Sequence, residues 1–264
     1  MIVTTGDKTS PHIRERARKM AETFGHRFVE RRRCTLAALR NRYGDDEFVV
    51  YRNKDVRYTK LGVTELIYHP SMAYVRIKRL LAGEGDTMVA ASRAQPGDEV
   101  LDCTAGLGSD ALVFSHVVGE AGRVTALESE QALFTLLHEG LHLYESSIES
   151  VNEAMRRILL KQADHVGWLR SLPDRSVDIV YFDPMFREPV KESASIDPLR
   201  ALANPGAVKP EAIREACRVA RKTVVMKELR GSEEFGRLGF ERIVHTGTKL
   251  AYGVIDIAGN NVAN

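Results

Sequence analysis

From residue 98 onward, short apolar runs alternate with longer stretches of helical period, and few folds accommodate that rhythm. Residues 99–103, 123–127, 158–161, 177–182 and 223–227 read as strands. Residues 109–118, 130–144 and 211–221 read as helices, and 242–245 with 250–257 as a closing pair of strands. Such alternation specifies an α/β chain with a doubly wound parallel sheet and helices on both faces. Ahead of it, Ser10-Pro11 opens a helical pattern that runs to about Phe24, with the proline suited to a first-turn position. Residues 48–51 and 56–58 read as strands, and a second helical pattern follows His69-Pro70. These elements suggest a smaller N-terminal α+β domain. Gly83, Gly85 and the polar tract to Gly97 form the connection, so the boundary is expected near Ala94, giving domains 1–94 and 95–264.

With 264 residues and 44% hydrophobic content, the chain can bury a core of this size. Cys34, Cys103 and Cys217 are scattered and form no CxxC pair, which argues for a reducing compartment and against a disulfide framework or a cysteine-rich zinc site. No apolar run approaches a membrane span and no signal-peptide core opens the chain, so a soluble cytoplasmic protein is expected. The net charge of +2 hides an asymmetry: the first 95 residues hold 19 Lys+Arg against 11 Asp+Glu, the remainder 19 against 25. A basic first third suits a polyanion, although a solvated helical surface has the same composition. Arg31-Arg32-Arg33, Arg40, Arg42, Arg76, Lys78 and Arg79 are the candidate phosphate contacts.

In doubly wound sheets ligands sit beyond the carboxyl ends of the strands, and there the chemistry-bearing residues collect. The first strand runs into Asp102-Cys103-Thr104-Ala105-Gly106-Leu107-Gly108-Ser109-Asp110-Ala111. Gly106 and Gly108 allow a tight turn and close approach of a ligand. Gly106-x-Gly108-x-x-Ala111 satisfies a dinucleotide fingerprint, and Glu128 lies at nearly the right distance to bind a ribose, so an NAD-dependent oxidoreductase is a rival reading. Asp102 counts against it, because a pyrophosphate is repelled by a carboxylate while the sulfonium of S-adenosylmethionine suits one. Asp164, after the third strand, can meet an adenine amino group or simply cap the next helix.

Val180-Tyr181-Phe182-Asp183-Pro184-Met185-Phe186 carries the fourth strand straight into an acid and a proline. Asp183 and the carbonyl of Pro184 are two acceptors in fixed relation, able to hold the N–H groups of an amine that attacks a methyl group. Phe186 can stack on a base drawn into the pocket. Taken alone, the segment reads equally as a strand stop and turn.

Together, LDCTAGLGSDA and YFDPMF resemble the class I S-adenosylmethionine-dependent methyltransferases, and specifically the bacterial small-subunit ribosomal RNA guanine-N2 methyltransferases. The resemblance spans roughly residues 98–256 and implies a Rossmann-like methyltransferase sheet, S-adenosylmethionine as cofactor and RNA as partner, with no metal required. Carried over, the family's cofactor contacts fall on Ser109, Asp110, Glu128, Ser129, Asp164, His165 and Asp183, beside Asp102, Gly106 and Gly108. Asp183, Pro184 and Phe186 become the catalytic set. Arg187 departs from the family pattern, which has a proline there. Methylation of another nucleic-acid or protein amine, and a non-catalytic RNA-binding protein of the same fold, remain alternatives.

His138-Glu139-Gly140-Leu141-His142 is a literal HExxH on a helical pattern. It falls in the helix after the second strand, away from the expected cleft, and no third ligand is evident, so a metallopeptidase is not the reading adopted. Cys103 reads as a small buried residue. Lys227, at the end of the fifth strand, reads equally as a phosphate contact or a flank of the sheet.

Overall fold

β-Branched and aromatic side chains dominate the two runs around which the sheets form, IVTT at residues 2–5 and VDIVYF at 177–182. The computed structural model describes residues 1–185, 202, 204 and 206–257. Among them, residues 1–69 with 135–145 form one compact unit, and 70–134, 146–185 and 206–257 a second. Residues 70–94, read from sequence with the basic third, thus lie in the second unit.

The first unit holds a five-stranded sheet in the order β2-β1-β3-β4-β5. β1 (Ile2–Thr5) runs parallel to β2 (Arg27–Phe28) and to β3 (Glu47–Tyr51), while β4 (Val56–Lys60) and β5 (Thr64–Ile67) continue antiparallel. Helix α1 (Pro11–Thr23) starts at Ser10, whose side chain accepts from the Ile13 amide, and buries Ile13, Ala17, Met20 and Ala21 on one stripe. Helix α2 (Leu36–Tyr43) is capped by Thr35 and ends at Gly44, φ 73°. The sequence reading found α1, β3 and β4 but not β1, β2, β5 or α2, all short elements.

The second unit opens with α3 (Ser71–Leu81) and α4 (Thr87–Ser92). Then come β6 (Glu99–Asp102), α5 (Ser109–Val118), β7 (Arg123–Glu128), α6 (Gln131–Leu143), α7 (Glu149–Arg157), β8 (Leu159–Gln162), α8 (His165–Ser171) and β9 (Val177–Phe182). After the undescribed segment follow α9 (Pro210–Val219), β10 (Ala220–Leu229), α10 (Glu234–Leu238), β11 (Arg242–His245) and β12 (Leu250–Asp256). Seven strands order as β11-β12-β10-β9-β6-β7-β8; β6 to β10 run parallel, and β12 is antiparallel to both its neighbours. Ile179, Val180, Tyr181 and Phe182 of β9 are all buried, as expected of a central strand covered on both faces. The expected α/β sheet is present. β10 begins at Ala220, so Arg221, read as the end of a helix, belongs to the strand and pairs with Asp178 and Glu99. Among the described residues no helix is long and apolar enough to cross a membrane.

Helix α6 runs across the division, and its part from Thr135 onward belongs to the first unit. There Gly140 is explained by packing: a Cβ at that position would overlap the ring of Tyr68. Two effects therefore oppose each other in Gly140→Ala. Helix propensity favours alanine by about 1 kcal/mol, whereas overpacking of a filled site costs about 1–3 kcal/mol. The ring overlap should prevail, and thermal unfolding of the variant should occur at a lower temperature than the parent; a rise in Tm would show that the ring moves aside freely.

Candidate active site

The carboxyl edge of the second sheet gathers acids from three of its parallel strands. Asp102 ends β6, is buried, and accepts the Thr104 amide at 3.0 Å. Burial, reinforced by the nearby Asp110, Asp183 and Glu128, pushes its carboxyl pKa up to about 8. Glu128 ends β7 and accepts two amides, Gly106 at 2.9 Å and Glu130 at 2.8 Å. Burial pushes its carboxyl up to about 7 despite those bonds. Among the described residues neither Asp102 nor Glu128 makes an ion pair. Gly106 takes φ 54°, and nothing lies within 4 Å of a Cβ built there, so the loop leaves open space beside Glu128. Gly108, φ 75°, caps α5, with Ser109 half-buried in the first turn behind it.

Asp110, in that same turn, is held by three donors. Arg76 of α3 reaches one oxygen at 2.5 Å; Tyr181 of β9 and Lys227 of β10 reach the other at 2.7 and 3.1 Å. Burial opposes ionisation, yet Lys227 and Arg76 together hold the Asp110 carboxyl well below the usual carboxylate range. Arg76 also forks onto Asp86 at 2.7 and 2.9 Å. The sequence reading placed Arg76 on an RNA-facing surface. At 16% exposure and with both partners internal, it is instead a structural cation.

Asp183 follows β9. Its amide donates to the Thr104 hydroxyl at 2.5 Å, and its Oδ2 accepts from Lys227 at 2.8 Å. Burial pushes the Asp183 carboxyl up to about 6, with Lys227 restraining the rise. Lys227 is thus a shared partner of two acids; the sequence reading weighed it as a phosphate contact or a flank of the sheet and did not pair it with those acids, which are 117 and 44 positions away. The one local signal was a lysine inside the apolar strand sequence VVMKEL. Pro184 and Met185 are half-buried after Asp183. Phe186 lies outside the described residues.

At the end of β8, Asp164 is exposed and caps α8, its Oδ1 accepting the Val166 and Gly167 amides at 3.0 Å each. The capping role that the sequence allowed is realised. His165 stands edge-on to Phe182 with centroids 5.7 Å apart, and burial lowers its pKa. The Ser129 hydroxyl reaches Glu130 at 3.4 Å. Elsewhere, Glu139 of the HExxH segment is buried against Arg16 at 2.5 Å and His138 Nδ1 at 2.9 Å, so its carboxylate is already engaged.

Residues 54–236 match the family described as "Putative SAM-dependent methyltransferase". The chain belongs to this family. It is 40% identical over 254 residues to "Uncharacterized protein YpiP" of Bacillus subtilis, which covers 96% of this chain and 98% of the relative. It is also 29% identical over 150 residues to a protein of Hydrogenovibrio crunogenus named ribosomal RNA small subunit methyltransferase J, or 55% of this chain and 53% of that one. A crystal structure of an S-adenosylmethionine-dependent methyltransferase from Neisseria gonorrhoeae superposes with a TM-score of 0.64 over 99% of this chain and 98% of its own, at 18% identity, and shares its fold. The cofactor of the family is S-adenosylmethionine, and the dinucleotide reading falls away.

The site's electrostatics fit that cofactor. Asp102 and Glu128 are buried acids without cations of their own, beside an open glycine turn, and a cationic ligand relieves their mutual repulsion. Asp102 keeps its proton to higher pH when folded than when unfolded. Its contribution to stability is therefore present at low pH and lost as pH rises through about 8. A bound cation prefers the ionised acid, so binding releases a proton. Cofactor affinity should weaken as pH falls from about 8 through about 7. Calorimetry in buffers of differing ionisation heat should register the released proton, and Asp102→Asn should suppress it. An affinity unchanged over this range would separate these acids from the cofactor.

Proposed function

We propose that the chain methylates an exocyclic amine of RNA, with guanine N2 of small-subunit ribosomal RNA as the target. The observation that carries the reading is the anchoring of Asp183. Thr104 fixes its backbone, and Lys227, itself held by Asp110, fixes its Oδ2, so the carboxylate is oriented before any substrate arrives. Relatives named for small-subunit ribosomal RNA methylation support RNA as the substrate class.

In this reading Glu128 receives the ribose hydroxyls of the cofactor, and Asp164 with His165 flanks its adenine. Asp102, Gly106, Gly108, Ser109 and Ser129 line the remainder. Asp110, carried over as a cofactor contact, already accepts from Arg76, Tyr181 and Lys227, and its part in this reading is to hold Lys227. When bound, the cofactor supplies a methyl group made electrophilic by its sulfonium. Asp183 Oδ1 and the Pro184 carbonyl hold the two N–H groups of the amine so that its lone pair points along the line of attack. As the N–C bond forms and the S–C bond breaks, nitrogen sheds a proton. Asp183 is the proposed acceptor, and its raised pKa makes it a better base than an ordinary carboxylate. Phe186, by its place in the motif, stacks on the drawn-out base.

Asp183→Ala should lower methyl transfer at saturating cofactor more than a hundredfold, about 3 kcal/mol of transition-state stabilisation. Mass mapping of ribosomal RNA from cells with and without the gene should show loss of one N2-methylguanosine, restored by the parent and not by this variant. An unchanged map would remove the assigned substrate. Lys227→Met makes a separate demand. Lys227 restrains the pKa of Asp183 near about 6, so its removal should move the acidic limb of the pH–rate profile to higher pH, while Lys227→Arg should move it back. A limb that stays in place would reduce Lys227 to a structural cation.

A further inference from the structure

We infer that the crevice beyond the carboxyl ends of β1 and β3, within the first unit, binds the phosphates of an RNA strand. The inference rests on RNA being the substrate and adds where that RNA is held. β1 lies between two parallel neighbours: the chain leaves it through α1 for β2 on one side, while β3 on the other side leads away to β4. Connections that diverge from adjacent parallel strands leave a crevice at their carboxyl ends, the usual ligand position in such sheets. Here it is a cavity of about 430 Å³ between the loop after β1 and the turn after β3, lined by Gly6, Lys8, Arg52 and Lys54 among others.

Its walls are built in advance. The Gly6 amide donates to the Tyr51 carbonyl at 2.8 Å, and the Thr9 hydroxyl to the Gly6 carbonyl at 2.8 Å. Asn53 ties the loop to the turn twice, accepting the Ser10 amide at 2.9 Å and donating to the Lys8 carbonyl at 3.0 Å. A second cavity of about 220 Å³ adjoins, sharing Gly6 and Asp7 and lined by Arg14 and Arg31-Arg32-Arg33.

The lining is strongly cationic. Among the described residues seven Lys and Arg side chains line the two cavities against three acids, Asp7, Glu30 and Asp55. Among the described residues Lys8, Arg14, Arg31, Arg33 and Lys54 have no salt bridge; Arg32 comes no closer than 3.6 Å to Glu30, and Arg52 no closer than 3.9 Å to Asp55. Such a cluster draws an anion to itself. Arg32 and Arg33 moreover take φ 43° and 65°, a left-handed conformation that side chains with a Cβ disfavour and that concentrates at ligand sites. Among the described residues no aromatic side chain lines either cavity, which fits contact with the sugar–phosphate backbone and not stacking on bases. Cations spread over two adjoining cavities match a polymer with one charge per nucleotide better than a single phosphate group.

The test uses the full chain with Lys8→Gln, Arg33→Gln, Arg52→Gln and Lys54→Gln combined, all exposed positions. Fluorescence anisotropy with a single-stranded ribosomal RNA fragment, between about 50 and 200 mM salt, reads affinity and its salt slope. The variant should bind about tenfold more weakly at low salt and with a flatter slope. Its Tm and S-adenosylmethionine affinity should match the parent, and its methyl transfer should show a raised KM for RNA with kcat retained. A variant with parental affinity and slope overturns this site and leaves the proposed function standing. A parent that binds no RNA overturns that function as well. Adenosine monophosphate is the second probe: if the parent binds it, the variant does not, and both bind RNA alike, the crevice is a mononucleotide site and the RNA assignment fails.

Discussion

Lys227 and Arg76 clasp Asp110 with two cations, and the carboxyl edge of the second sheet depends on that neutralisation. Buried charges persist only where partners replace water, and leaving one of a pair unmatched costs about 3–5 kcal/mol. The edge is thus divided. Around β9 and β10 the acids are matched by protein cations; around β6 and β7, Asp102 and Glu128 are left to hold protons or await a cation from outside. In the proposed reading, a cofactor carrying a sulfonium would complete the second half as Lys227 completes the first. Asp183 and Asp110 share one cation, Lys227, so the charge balance of the two acids is coupled.

The sequence made the strand ends legible because local signals mark them. A β-branched run, then an acid, then glycines or proline is a pattern with few alternative structures, and β6, β7 and β9 end within a residue of where it places them. The ions that couple those ends were not legible. Arg76 shares a helical face with Arg79, which reads as an RNA-facing surface, yet Asp86 and Asp110 draw it inward while Arg79 pairs outside with Glu84. The HExxH segment shows the reverse failure, a local pattern stronger than its meaning. Its glutamate is taken by Arg16, 123 positions away, and its glycine makes room for a tyrosine ring. β1 and β2 were missed because four- and two-residue strands carry almost no periodicity.

The two units place opposite charge beyond the carboxyl ends of their parallel strands. In the second unit acids line the strand ends; in the first, lysines and arginines do. The excess of positive charge in the first third is therefore not evenly spread over solvated helices. Much of it converges on the loops after β1, β2 and β3, a distribution that composition alone does not reveal.

The seventh strand of the larger sheet has one more consequence, for synthesis. β12 follows β11 in sequence but lies inside it, so β11 joins the sheet only through β12. As the chain leaves the ribosome, β6 to β10 can pair in order, whereas the outer edge of β10 stays bare until residues 250–256 emerge. That edge belongs to the strand carrying Lys227, whose register partner is Tyr252. The strand that steadies Asp183 is thus among the last to be locked in place, and a nascent chain can bury its core well before that edge is set.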